Sequence, residues 1–130
     1  MNGDEGPLFL TTGQVLAFHR QQIERFGGAH GILDEGLLES AVTQPQTTWC
    51  YDPQADLFLL AATYAFHISK NHAFRDGNKR VALHAALAFL KVNGVSIEAG
   101  QDEVFDAMSR LVTSAIDERA FAQFLREHES

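Results

Sequence analysis

Two apolar stretches constrain this 130-residue chain more than anything else in it. From Leu57 to Phe66 only Thr63 interrupts the run, and from Val81 to Val92 only His84 and Lys91 do. Both are helical in pattern, and a helix that is apolar on every side has to be surrounded by others. The pair therefore predicts the middle of an all-α bundle of about six helices. Asp56 starts the first central helix, which ends near Lys70, and the second runs from Asn78 to Val92. The connection between them, Asn71 to Gly77, has an ordinary length for a bundle. Residues 1–130 read as one domain, long enough to bury roughly two-thirds of the unfolded surface.

The other elements arrange themselves around that pair. Residues 1–7 are polar and glycine-rich and are expected to fray. Thr12 reads as the N-cap of a helix carrying Val15, Leu16, His19, Ile23 and Phe26, which Gly27-Gly28 terminates. Asp34 caps a short helix over residues 35–42. Thr43 to Pro53 holds two prolines together with Thr48, Trp49, Cys50 and Tyr51. That stretch is expected to be a long loop or small hairpin flanking the site, its aromatics either covering a core edge or contacting a ligand. Asn93-Gly94 stops the second central helix, and Val95 to Ile97 suggests one short strand. Asp102 and Asp117 read as N-caps of two amphipathic helices, one with Val104, Phe105, Met108, Leu111 and Val112, the other with Phe121, Phe124 and Leu125.

The connection holds more chemistry than a turn requires. His72-Ala-Phe-Arg-Asp-Gly-Asn-Lys-Arg80 supplies an imidazole, a carboxylate, a glycine, an asparagine and three cations. With Lys70, the segment has four of the ten basic residues and one acid, Asp76. It is near +3 in a chain of −7, which leaves about −10 elsewhere. Asn78 looks like an N-cap. Lys79 and Arg80 then fall in the first helical turn, where the dipole disfavours cations. An anion at that helix start reconciles the two, since free N–H groups, dipole and cations would all face it. Taken singly, His72 is an ordinary helix-end histidine, Asp76-Gly77 an ordinary turn, Asn78 a plain cap and Phe74 a loop anchor. Together they meet the needs of phosphoryl chemistry: a base, an oxygen ligand for a metal, and donors for developing charge.

Composition narrows the partners. An isoelectric point near 5.2 disfavours a nucleic-acid backbone and suits one basic pocket for a small anion. The single cysteine, Cys50, forms no internal disulfide and there is no CxxC, which fits a reducing cytoplasm. The N-terminus lacks the layout of a signal peptide, and no apolar run approaches the ~20 residues of a membrane span, so a soluble protein with no membrane partner is expected. No Walker-type G-x-x-x-x-G-K-[ST] loop, protein-kinase motif or H-E-x-x-H occurs.

The nine residues from His72 to Arg80 resemble the Fic motif, H-P-F-x-[DE]-G-N-G-R-x-x-R. They are closer still to its death-on-curing (Doc) variant, in which lysine replaces the second glycine. The likeness extends over Gly27-Gly28, Gly31 to Pro45, Asp56-Leu-Phe and Phe89 to Gly94, roughly residues 8–95. It implies an all-α Fic fold in which His72 takes a proton from a target Ser or Thr hydroxyl. Asp76 would ligate Mg²⁺ on the phosphates of ATP, and Gly77, Asn78, Lys79 and Arg80 would hold those phosphates. Phe74 would anchor the loop, and residues 43–53, with Thr48, Trp49, Cys50 and Tyr51, would form the flap on which a target peptide aligns.

Departures from the Fic pattern bear on the reaction. Ala73 stands where the motif has proline, Lys79 where it has its second glycine, and Leu83 where it has its second arginine. The resemblance to Doc implies that the lysine goes with a reversed ATP and transfer of the γ-phosphate rather than AMP. An inhibitory [ST]-x-x-x-E-[GN] segment is matched only at Ser114 and Glu118, with Arg119 following, so an antitoxin acting in trans is expected. The resemblance to Doc implies elongation factor Tu as the substrate, with its modification stopping translation. Alternatives left open are a Fic-type adenylyltransferase, a catalytically silent binding module, and a metal-dependent hydrolase using His67, His72, Asp76 and His84.

Overall fold

The computed structural model describes residues 6–130, so most of the terminus expected to fray lies outside the described residues. The described part is six helices in chain order: α1 (Thr12–Phe26), α2 (Glu35–Tyr51), α3 (Leu57–Asn71), α4 (Asn78–Val92), α5 (Gln101–Val112) and α6 (Glu118–Glu127). The all-α expectation holds. Val95–Ile97 is not a strand, for Ile97 makes only an isolated antiparallel bridge to Glu129.

Helix α3 is the axis. It packs most extensively against α4, then α2 and α6, with a smaller contact to α5. Leu60, Ala61, Ala62, Tyr64, Ala65 and Ile68 are all buried on it, and Val81, Ala82, Ala85, Ala86, Phe89 and Leu90 answer from α4. The alanines let the two backbones approach closely, while the larger side chains fill the layers above and below. Truncating such a leucine to alanine costs about 2–5 kcal/mol, depending on how far the site collapses. Two polar side chains inside this core are satisfied locally. Ser69 Oγ donates to the Ala65 carbonyl at 2.6 Å, and Thr63 Oγ1 donates to the Leu59 carbonyl at 2.9 Å. Tyr64 reaches across to the N-terminal segment, its hydroxyl accepting from the Leu10 N–H at 2.8 Å. Burial pushes that phenol up to about 12.

Caps place most of the boundaries as expected. Asp34, Asp56 and Asp117 accept from the N–H groups of Leu37, Leu59 and Ala120 at 3.0, 2.8 and 2.8 Å. Two positions shift. Thr11, not Thr12, caps α1, because it closes a reciprocal box with Gln14. Helix α5 begins after Gly100, whose N–H is taken by Glu103 Oε1 at 3.1 Å, so Asp102 is a first-turn acid rather than a cap.

The largest correction concerns residues 43–53. No loop or hairpin forms there: α2 continues to Tyr51 with Pro45 inside it. Leu38, Ala41, Val42 and Pro45 are buried and Thr48 and Trp49 half-buried, which is a helical stripe facing α3. Proline in a helix interior forfeits a hydrogen bond and costs about 3 kcal/mol in isolation. Burying that stripe outweighs the loss. Trp49 packs beside Phe9, ring centroids 6.2 Å apart, instead of being presented to a ligand.

Candidate active site

The turn from α3 into α4 starts with a strained residue. His72 caps α3 in the left-handed region (φ 49°, ψ 45°), uncommon for a side chain bearing a β-carbon, and its imidazole is exposed. Ala73 and Phe74 then turn inward and are buried. Their backbone pairs with the segment after α1. Leu33 N–H donates to the Ala73 carbonyl at 2.7 Å and Arg75 N–H to the Gly31 carbonyl at 3.1 Å, around an antiparallel bridge between Ile32 and Phe74. The buried Phe74 ring lies on His19 with centroids 3.8 Å apart and planes 10° from parallel.

Asn78 does something other than cap. Its Oδ1 accepts from the Phe74 N–H at 3.0 Å and its Nδ2 donates to the Phe74 carbonyl at 2.9 Å, so it staples the loop to itself. The N-cap position belongs to Gly77 (φ 78°), which has no side chain to offer. Among the described residues, the N–H groups of Gly77, Asn78, Lys79 and Arg80 have no acceptor. A 15-residue helix thus opens with its dipole and donors unanswered, which suits an anion.

Asp76 stands at that opening, exposed. Its Oδ2 accepts from the Ala29 N–H at 3.0 Å, and its Oδ1 has no hydrogen-bond partner among the described residues. Its backbone carbonyl accepts from His19 Nε2–H at 2.7 Å. One carboxylate with a free oxygen beside uncapped amides is a fitting partner for a magnesium ion that takes its remaining ligands from phosphates and water.

Three of the four cations make identifiable side-chain contacts, and the fourth, Arg75, is exposed beside Gly31. Lys70 is consumed by structure: its Nζ donates to the Val112 carbonyl at 2.7 Å and to Ser114 Oγ at 2.8 Å, closing the end of α5. Lys79 Nζ reaches Ser109 Oγ at 3.1 Å, and the Arg80 guanidinium lies 4.9 Å over the Phe26 ring. Both belong to the first turn of α4, Lys79 leaning on α5 and Arg80 on the end of α1. Arg80 also borders a groove of about 420 Å³ with Arg25, Phe26, Leu83, His84 and Phe105.

Several expected participants are elsewhere. Helix α2 runs antiparallel to α3. Asn71 Nδ2 donates to the Leu37 carbonyl at the loop end, whereas Thr48 lies beside Leu59 and Thr63 at the other. Thr48, Trp49, Cys50 and Tyr51 therefore sit about 14–20 Å along the α3 axis from His72 and form no flap over it. The segment that does border the loop is 28–34. The hydrolase grouping also fails. Half-buried His67 lies 3.9 Å from Glu118, while His84 accepts from Gln22 Nε2 at 3.1 Å and packs against Phe18 with the ring planes tilted by 46°. Burial pulls both imidazoles below the usual histidine value. Among the described residues no three His, Cys, Asp or Glu side chains are placed to share a metal.

Sequence reasoning missed His19, Gly28 and Ala29. A β-carbon on Gly28 would stand 3.3 Å from the Asp76 β-carbon, so only glycine lets that backbone reach the carboxylate. The one available signal for His19 was a polar residue on the otherwise apolar face of Val15 and Ile23.

Comparison with known proteins gives the same region weight. A sequence model of the Fic/DOC family matches residues 9–90. Protein kinase doc of Escherichia phage P1 is 35% identical over 117 residues, covering 90% of this chain and 92% of that one. Toxin Doc of Mycolicibacterium smegmatis is 40% identical over 95 residues, covering 71% of this chain and 73% of its own length.

Proposed function

This chain belongs to the Fic/DOC family, and on that premise we propose that it is a Doc-like toxin that transfers the γ-phosphate of ATP to a Ser or Thr hydroxyl of a protein. The observation that carries the reading is the unanswered start of α4, with four free N–H groups and the cations Lys79 and Arg80 in its first turn, preceded in the same loop by the free oxygen of Asp76 and by exposed His72. Those groups suit phosphate oxygens, and His72 suits the incoming hydroxyl.

In this reaction the hydroxyl oxygen forms a bond to the γ-phosphorus as the bond to the β-phosphate oxygen breaks and ADP departs. The hydroxyl proton passes to the His72 imidazole. The amides of residues 77–80, with Lys79 and Arg80, hold the phosphates and meet charge as it develops. Mg²⁺, held through Asp76, would neutralise phosphate charge when bound. Asn78 keeps Phe74 down, so the loop is already set before substrate arrives.

The target we propose is elongation factor Tu, with arrest of translation as the consequence, on the strength of the resemblance to Doc. Control by an antitoxin in trans is consistent with the fate of Glu118. Its carboxylate accepts from Thr63 Oγ1 at 3.1 Å and faces His67, which leaves it committed to the α3–α6 contact rather than to the site. No helix among the described residues is long and apolar enough to cross a membrane.

The test uses ATP labelled at the α- or the γ-phosphate, with Mg²⁺ and purified elongation factor Tu or lysate. Protein labelled only from γ is expected. Label from α would replace phosphotransfer by adenylylation, and label from neither would leave a binding module.

A further inference from the structure

We propose that His19 is a positioning residue for the phosphate-binding amides, acting through the Asp76 carbonyl rather than by touching substrate. The inference rests on the reading of the α3–α4 turn as a phosphate site. His19 lies on α1, 57 residues from Asp76, and is only 4% exposed. It is clamped from one side by Phe74, stacked at 3.8 Å. Its Nε2 lies 2.7 Å from the Asp76 carbonyl oxygen, and a carbonyl only accepts, so the proton is on Nε2.

Two consequences follow from that one bond. The Asp76 carbonyl is the acceptor that the Arg80 N–H would use if α4 began one residue earlier. With His19 holding it, the first backbone bond of α4 is Val81 N–H to the Gly77 carbonyl at 3.0 Å, and the N–H of Arg80 stays free. In a trans peptide, moreover, N–H and C=O point in opposite directions. Fixing the Asp76 carbonyl towards α1 therefore turns the Gly77 N–H away from α1 and adds it to the free donors of the helix start. The space is tailored to this arrangement. A β-carbon on Gly77 would meet Ile23 Cδ1 at 3.3 Å and His19 Nε2 at 3.7 Å, at a φ of +78°. Ala29 N–H meanwhile holds the Asp76 carboxylate, so α1 and the residues just past it grip Asp76 at both its backbone and its side chain.

The test is a titration of the full chain with magnesium pyrophosphate, followed by amide proton–nitrogen correlation spectra. In the wild type the amides of Gly77 to Arg80 are expected to shift. His19→Phe keeps a ring against Phe74 but has no donor. It should lose the Gly77 shift and weaken pyrophosphate binding by roughly tenfold, the order of one hydrogen bond's leverage on a charged ligand. His19→Gln, which restores an N–H at similar reach, should stay within about threefold of wild type. In kinase assays, His19→Phe should raise KM for ATP more than it lowers kcat, whereas a merely structural role would lower Tm and leave KM of the folded protein alone. A folded His19→Phe variant in which Gly77 shifts as in wild type overturns the proposal. So does a wild-type Gly77 amide unmoved by saturating pyrophosphate, whatever the variants do. If the shifts follow the expected pattern but no γ-label reaches protein, the kinase reading fails and the role of His19 stands.

Discussion

The two ends of α3 handle their polar groups in opposite ways. At its start, Asp56 caps the helix through the Leu59 N–H and also holds Arg126 by two bonds, at 3.0 and 2.7 Å. Nearby, Asp117 caps α6 and Glu118 is tied to Thr63. At its finish, His72 sits in a left-handed conformation, Asp76 keeps a free oxygen, and the next helix opens with no side-chain cap. A bundle of this size tolerates one unsatisfied end because the other, and the core between them, are satisfied. The contrast teaches where stability and chemistry are lodged, and it can be attacked from both sides.

The largest effect should come from His72→Ala. Removing a general base typically costs 10²–10⁴-fold in rate, so phosphotransfer should fall by about that much while Tm stays put, as γ-label assays and thermal melts would show. An equal drop in Tm would mean that the imidazole belongs to the scaffold and the contrast is false. Asn78→Ala should move both readouts. It strips two partners from Phe74, costing about 1–3 kcal/mol by denaturant titration, and should slow transfer at least roughly tenfold as the loop loosens. Asp56→Ala is the mirror experiment. Loss of a cap and an exposed ion pair should cost about 1–2 kcal/mol with no change in transfer.

The smallest effect is in pH. His67 and His84 are pulled below the usual histidine value by burial, so around pH 6.5 the unfolded chain binds more protons than the folded one. Stability should therefore fall as the pH drops through about 6.5 and recover above it. His128 opposes this, since its bond to the Phe124 carbonyl pushes it up. Urea titrations at pH 5.5 and 7.5 would check the direction, and His84→Gln should flatten the difference.

What was legible depended on the range of the signal. Asp34 and Asp117 read as caps, and Asp56 as the start of its helix, because a cap acts on amides two or three residues away. The central pair was evident because an all-apolar helix has no other solution. The flap was misread because Pro45 and Trp49 are breaker and loop signals locally, although Leu38, Ala41, Val42, Pro45 and Trp49 keep a helical period. Asn78 was misread for a similar reason, since the Phe74 backbone, which its side chain binds instead of capping α4, had no position until the loop folded.

The amino-acid sequence alone determined an all-α bundle around two buried helices, and a cationic, carboxylate-bearing turn between them that resembles a family of phosphate-handling proteins. Tertiary structure alone decided that Lys70 is tied to the end of α5, which amides remain free and what holds Asp76 in place. The physical reason is separation along the chain. His19 meets Asp76 across 57 residues, Ala29 across 47 and Lys70 meets Val112 across 42, and no pattern within a few turns of helix encodes such partners.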